Sequence, residues 1–202
     1  ALLVDRNTPG AEVEDTSRTM GVRGTDHASL TFTNAPVPVA NRLGAEGEGL
    51  AVALGGFLTP SRVSVAMSCV GLAQRAQELA LHYAARRTTF GKPLSSRQAI
   101  AFSLAENAAD IAAAKALTLT AAAAWQNAEP DAPALSSMAK LTAVDMLGRV
   151  TDKALQVHGG IGYWQSQPIE RVYRDARAQR FEEGTNEIQK SVIAKAILGG
   201  AA

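Results

Sequence analysis

Apolar residues in the middle of this chain recur every three or four positions, and that period constrains the fold more than any other feature. Val65, Cys69, Leu72, Ala76, Leu79 and Tyr83 step by 4, 3, 4, 3 and 4, which lines them along one face of a long helix ending near Arg87. Leu104, Ala108, Ile111, Ala114 and Thr118 carry the period towards Trp125, and Leu141, Val144, Gly148, Thr151 and Leu155 repeat it up to His158. Gly91 and Pro93 break the first run, with Ser95 or Ser96 placed to cap the next helix. The turn Glu129–Pro133 breaks the second, and Gly159-Gly160-Ile161-Gly162 ends the third. A shorter helix is predicted from Gln167 to Gln179 and a last one from Thr185 to Leu198, stopped by Gly199-Gly200. Many of these positions are alanine, which lets helix axes approach closely, so the pattern predicts an up-down four-helix-type bundle over residues 46–202.

Residues 1–45 read differently. Leu2-Leu3-Val4 and Ser29-Leu30-Thr31-Phe32-Thr33 are short β-like runs, punctuated by Thr8-Pro9-Gly10 and Asn34-Ala35-Pro36. Pro36 and Pro38 flank Val37 and cannot donate to a ladder, so that end belongs to an edge or an exit from the sheet. So short a segment cannot build its own core, and it is expected to be part of a β-domain whose first half lies elsewhere. Ala1 opens in mid-strand without an initiator Met, as in a chain cut from a longer protein. The fold class expected is mainly α: a C-terminal bundle preceded by part of a β-domain, with Gly44–Gly49 as the turn between them.

Composition narrows the function. Lys and Arg number 20 against 19 Asp and Glu, a net charge of +1, so nothing argues for a nucleic-acid or anionic-membrane partner. No stretch reaches the roughly eighteen uncharged apolar residues of a membrane span, because Asp110, Lys115 and Gln126-Asn127 interrupt the alanine-rich segment. Cys69 is the only cysteine. It excludes a disulfide framework, points to a reducing compartment such as the cytoplasm, and reads as an inert core residue. His27, His82 and His158 are scattered, so no metal site is expected, and there is no Gly-x-Ser-x-Gly elbow.

Three segments could carry chemistry, each with a plainer alternative. Gln156-Val-His-Gly-Gly-Ile-Gly-Tyr163 fails as a G-x-G-x-x-G fingerprint, since Gln165 falls where the third glycine belongs and a helix precedes it. Its glycines either end a helix or let a planar ligand approach. Arg87-Thr-Thr-Phe-Gly-Lys92 either satisfies a helix dipole or holds a pyrophosphate through its guanidinium and hydroxyls. Phe181-Glu-Glu-Gly-Thr-Asn-Glu-Ile188 either favours the positive end of the helix that follows, or supplies a glutamate with a raised pKa as general base.

Taken in order, Arg87-x-x-Phe-Gly-Lys92 with Gln98, then Gln156-x-x-Gly-Gly-x-Gly-Tyr163, then Arg174-Asp175 and Glu183-Gly-Thr-Asn-Glu-Ile-Gln189 resemble the flavin-containing acyl-CoA dehydrogenase family. Gly21-Val-Arg-Gly24 and Gly44-x-x-Gly-x-Gly49 are similar to segments of that family's middle domain. The resemblance covers nearly the whole chain: the second half of the middle β-domain, residues 1–45, and the C-terminal helical domain, residues 46–202. It implies FAD-dependent α,β-dehydrogenation of an acyl-CoA thioester, with electrons passed to an electron-transfer flavoprotein. By the same correspondence Glu183 is the catalytic base, and Ser61 before Arg62 agrees with that placement, since some branches carry the base just before this arginine. Arg62 and Gly184 line the substrate side. Arg87, Thr89 and Phe90 contact the FAD pyrophosphate region, Gln98, Gln156 and Gly160 lie near the adenosine part, and Thr185 and Glu187 stand beside the flavin on the chain's own side. Some of these reach a flavin held by another subunit, which implies a homotetramer made from two dimers. Thr59 replaces an acidic residue common in the family, and Glu182 an aromatic one; Glu182 either raises the pKa of its neighbour or points to solvent, the latter being favoured. The competing readings are an oxygen-using relative of the acyl-CoA oxidase kind and a non-catalytic helical oligomerisation module.

Overall fold

A computed structural model describes residues 1–25 and 27–199; the Gly200 assigned above to a helix stop lies outside them. It divides into two compact units, Ala1–Leu58 and Thr59–Ala202.

The first unit is built on a two-stranded antiparallel hairpin, β1 (Ala11–Asp15) and β2 (Ala28–Phe32), in the register Ala11↔Phe32 to Asp15↔Ala28. Strand β2 matches the predicted run, whereas β1, AEVED, lies outside the runs read as strand, its alternation resting on Ala11 and Val13 alone among three acidic residues. The expected strand at Leu2-Leu3-Val4 is only an isolated bridge, Leu2↔Arg42. Beyond the Gly44–Gly49 turn come the short helix α1 (Gly49–Ala53) and a π-helical turn, Leu54–Leu58. Gly55 and Gly56 are weak helix formers, and they hide this helical stretch from a periodicity reading that begins at Val65.

The second unit is the helical bundle. Its long members are α2 (Thr59–Arg86), α3 (Gln98–Gln126) and α4 (Ala132–His158). Its short members are α5 (Pro168–Ala178) and α6 (Asn186–Ile197). The two short members fall within the predicted spans, Gln167 to Gln179 and Thr185 to Leu198. Helix α4 packs against α2, α3, α5 and α6, and α2 also meets α3 and α5. The core that α2 and α4 share is rich in small residues: Ala66, Ala73, Ala76 and Ala80 of α2 belong to one buried cluster with Ala139, Ala143, Val144 and Leu147 of α4. Small side chains bring backbones close, and the few large ones then carry most of the apolar burial.

Caps differ in detail from expectation. Ser95 and Ser96 lie inside a single 3-10 turn, Leu94–Ser96, and Ser96 Oγ donates to the Pro93 carbonyl at 2.7 Å. Arg97 is therefore the N-cap of α3. Helix α4 opens on Ala132-Pro133, where proline costs no hydrogen bond, and closes at Gly159 with φ 62°. The stretch Gly49–Arg86 is long and apolar enough by length and composition to cross a membrane. A bundle core helix passes the same test, and α2 buries Val65, Ala66, Cys69 and Val70 in the bundle together with the guanidinium-bearing Arg62.

Candidate active site

The link between α5 and α6 is a tight turn with two consecutive left-handed residues, Glu183 at φ 53° and Gly184 at φ 94°. Glycine suits the second place because a Cβ there would stand 3.1 Å from both Gln189 Nε2 and Ile188 Cγ2. Glutamate in the first place carries backbone strain of about 1–2 kcal/mol, so the surroundings must impose it. They do so through the turn's carbonyls. Gln189 Nε2 donates to the carbonyls of Glu183 and Gly184, each at 3.0 Å. Arg62 Nε donates to the Glu183 carbonyl at 3.3 Å and Arg62 NH1 to Ser137 Oγ at 3.3 Å. Lys140 Nζ donates to the Gly184 carbonyl at 2.8 Å and the Arg180 carbonyl at 3.3 Å. These donors come from three helices, α2, α4 and α6, and are almost wholly buried: Arg62 is 5% exposed, Lys140 and Gln189 0%.

Two cations under one turn set its electrostatics. Burial pushes the Arg62 guanidinium below its ordinary pKa, and the nearby Glu183 charge works in the opposite direction. Burial likewise lowers Lys140, opposed mainly by Cys69 and Glu182. The Cys69 thiol is pushed up to about 12 by burial, in keeping with an inert core residue. Its Sγ donates to Gln179 Oε1 at 3.8 Å, and Gln179 Nε2 donates to Glu182 Oε1 at 3.2 Å. Glu182, expected to point to solvent, is half-buried and accepts this hydrogen bond from Gln179, three residues before it.

Thr185 is the N-cap of α6, and Glu187 in the first turn is held below the usual carboxylate range by its own backbone N–H and then by the Thr185 hydroxyl. A carboxylate depressed in the folded state adds stability above its unfolded pKa and loses it as pH falls through the folded value. Glu187→Gln is therefore expected to destabilise the bundle slightly at neutral pH, with the difference from the parent shrinking below about pH 4 in urea titrations.

A second locus lies at the other end of α2. Helix α2 stops at Arg86, and the chain makes a small hairpin, β3 (Thr88–Thr89) with β4 (Lys92–Pro93), around Phe90 at φ 48° and Gly91 at φ 75°. Positive φ at both central residues is the type I′ pattern that matches hairpin twist. Phe90 is held there 97% exposed. Arg97 NH2 donates to the Thr89 carbonyl at 2.7 Å and its guanidinium lies 5.9 Å from the Phe90 ring. Arg87 itself lines a groove of about 420 Å³ with Leu79, His82, Tyr83, Arg86, His158 and Ile161. There the Tyr83 and His158 rings stack at 4.6 Å, and His158 Nδ1 is 2.8 Å from the Ala154 carbonyl.

The structure thus brings Arg87 and the 156–163 segment to one groove, as the motif spacing could not show. Thr89, Phe90, Gln98, Gln156 and Gly160 are not in its lining; Thr89 is half-buried and the others are exposed. Among the described residues, nothing beyond the immediate chain neighbours lies within 4 Å of where a Cβ would stand on Gly159 or Gly160, so both present open backbone. Arg62 and Gly184 join Glu183, but Arg62 and Arg87 stand about 37 Å apart along α2. The sequence reading missed Lys140, Ser137 and Arg97, and named Gln189 only as the end of a motif without a role. A signal existed for Lys140: it falls at core spacing with Ser137, Val144 and Leu147, where a lysine is out of place.

Comparison with known proteins follows from this geometry. A family described as acyl-CoA dehydrogenase, C-terminal domain, matches residues 47–198. An acyl-CoA dehydrogenase of Bacillus subtilis is 40% identical over 200 residues, which are 99% of this chain and 52% of that protein. The butyryl-CoA dehydrogenase of Megasphaera elsdenii superposes with a TM-score of 0.94 at 36% identity, covering 98% of this chain and 51% of the other. An acyl-CoA dehydrogenase of Bacillus anthracis in complex with FAD superposes with a TM-score of 0.92 at 28% identity, covering 100% and 37%. The chain spans about half the length of the curated relatives it matches, 52% of the Bacillus subtilis protein.

Proposed function

The chain belongs to the acyl-CoA dehydrogenase family, and on that premise we propose that the complete gene product is an FAD-dependent enzyme that dehydrogenates an acyl-CoA thioester between its α and β carbons. Residues 1–45 are then part of a middle β-domain, and residues 46–202 form the C-terminal helical-bundle domain. The observation that carries the reading is the Glu183-Gly184 turn, a carboxylate on a strained backbone whose carbonyls are held by buried donors from three helices. Such an over-determined turn fits a group that must meet a substrate in one geometry.

In this reading Glu183 takes the α-proton as general base, and Arg62 and Gly184 stand on the substrate side. FAD, when bound, accepts the β-hydride, so the thioester gains an α,β double bond and loses two electrons. Arg87, Thr89 and Phe90 hold the pyrophosphate region of FAD, Gln98, Gln156 and Gly160 the adenosine part, and Thr185 and Glu187 flank the flavin. The residues present fit such a ligand: exposed guanidinium and hydroxyl donors suit a pyrophosphate, and the open backbone of Gly159 and Gly160 admits a flat ring.

The separation of about 37 Å between Arg62 and Arg87 exceeds the reach of one dinucleotide, which supports cofactor contacts shared between subunits and a homotetramer assembled as a dimer of dimers. Exposed Phe102, Leu119 and Trp125 on α3 offer apolar surface for that assembly. The electrons pass to an electron-transfer flavoprotein, and a lone buried cysteine suits work in the cytoplasm.

The test is an anaerobic titration of the FAD-loaded gene product with a panel of acyl-CoA thioesters, read in the visible flavin band. Bleaching by one chain class supports the dehydrogenation and names the substrate; FAD retained and unbleached by every thioester overturns it.

A further inference from the structure

Lys140 is an ammonium with no solvent exposure on the core side of α4. Among the described residues no carboxylate lies within ion-pair distance of it. Its partners are two main-chain carbonyls, Arg180 at 3.3 Å and Gly184 at 2.8 Å. Burying a cation whose direct partners are main-chain carbonyls is costly, even with the more distant Glu182 and Asp145 charges in its favour, and a well-packed apolar side chain would fill the space more cheaply. The two carbonyls bracket Glu183 in sequence, so the cost goes into closing the turn on both sides of the left-handed residue. Gln189 repeats the arrangement: its Nε2 spans the Glu183 and Gly184 carbonyls, while its buried Oε1 has no hydrogen-bond partner among the described residues. Two side chains from separate helices are thus committed, each at an energetic disadvantage, to the same peptide unit.

We propose that Lys140 is the positioning residue for Glu183: from α4 it pins the Arg180 and Gly184 carbonyls, and with Gln189 it fixes the backbone from which the Glu183 carboxylate meets the α-proton. Lys140 does not touch the reacting atoms. The inference rests on the reading of Glu183 as base. Misplacing a base by about 1 Å can cost on the order of 10²-fold in rate, and of the residues placed on the substrate side Lys140 bonds only the Gly184 main-chain carbonyl, at 2.8 Å.

The experiment is rapid-reaction flavin reduction in the FAD-loaded complete gene product, comparing Lys140→Met, Gln189→Met and Glu183→Gln, with thioesters bearing hydrogen or deuterium at the α-carbon. Lys140→Met is expected to lower the limiting rate by about 10- to 100-fold, leave the thioester dissociation constant unchanged, and raise the α-deuterium isotope effect as proton abstraction becomes the slow step. Gln189→Met moves the same two readouts and decides the matter if Lys140→Met does not fold. A wild-type rate and isotope effect in the folded variants, with Glu183→Gln inactive, overturns the positioning role alone. Reduction at the normal rate by Glu183→Gln overturns the base assignment itself. A rate loss that tracks weaker thioester binding at an unchanged isotope effect assigns Lys140 to general integrity of the fold and overturns the proposal.

Discussion

Glu183→Gln, made in the complete gene product and loaded with FAD, is expected to slow flavin reduction by the acyl-CoA substrate by about 10²–10⁴-fold and to leave FAD bound. The amide keeps the size of the carboxylate but cannot take up a proton at the operating pH. The substitution spares every main-chain bond that shapes the turn, since Arg62, Lys140 and Gln189 all donate to backbone carbonyls. The charge facing Arg62 is lost, so that guanidinium is left with its Ser137 and Glu183-carbonyl partners alone. Stopped-flow absorbance under anaerobic conditions checks the rate, and a flavin-to-protein ratio after gel filtration checks retention. A variant that reduces its flavin at the wild-type rate removes Glu183 from the role of base.

Leu147→Ala carries the largest expected effect on the fold itself. Leu147 is fully buried on α4, the helix that meets every other helix of the bundle, in a core it shares with the alanines of α2. A leucine-to-alanine change in a core costs about 2–5 kcal/mol, the upper end applying where neighbours cannot relax into the hole. The alanines of α2 in the same core, Ala66, Ala73, Ala76 and Ala80, have no side-chain length with which to fill a hole. The melting temperature should fall by roughly 5–15 °C, with an unchanged dependence on denaturant. A loss below about 1 kcal/mol would mean that the helices slide together to close the cavity and that the core is less rigid than its small residues suggest.

The long helices are legible because their cause is local: a period near 3.6, broken by residues that cannot continue it. The expected stop near Arg87 falls at Arg86, and the one at His158 falls on that residue. Where local signals weaken, the reading fails for stated reasons. Acidic β1 has only Ala11 and Val13 to carry an apolar alternation, the glycines of 49–58 mask a helical stretch, and Ser95 and Ser96 offer plausible caps that a 3-10 turn consumes instead. The turn around Glu183 was visible as a motif. Its left-handed backbone was not, because glutamate adopts that conformation only when something else enforces it.

What the sequence determined alone is the helical architecture, the order of its motifs and the family they resemble, since each depends on neighbours within a few positions along the chain. Only the tertiary structure decided which of those motifs meet. It joined Arg87 to the His158 segment in one groove, set Arg62 and Arg87 at opposite ends of α2, and turned Lys140, an apparent error in a core pattern, toward a turn more than forty residues away. A hydrogen bond between distant segments leaves no period and no spacing in the sequence; it exists only once burial has brought a donor and an unpaired carbonyl to the same place, out of reach of water.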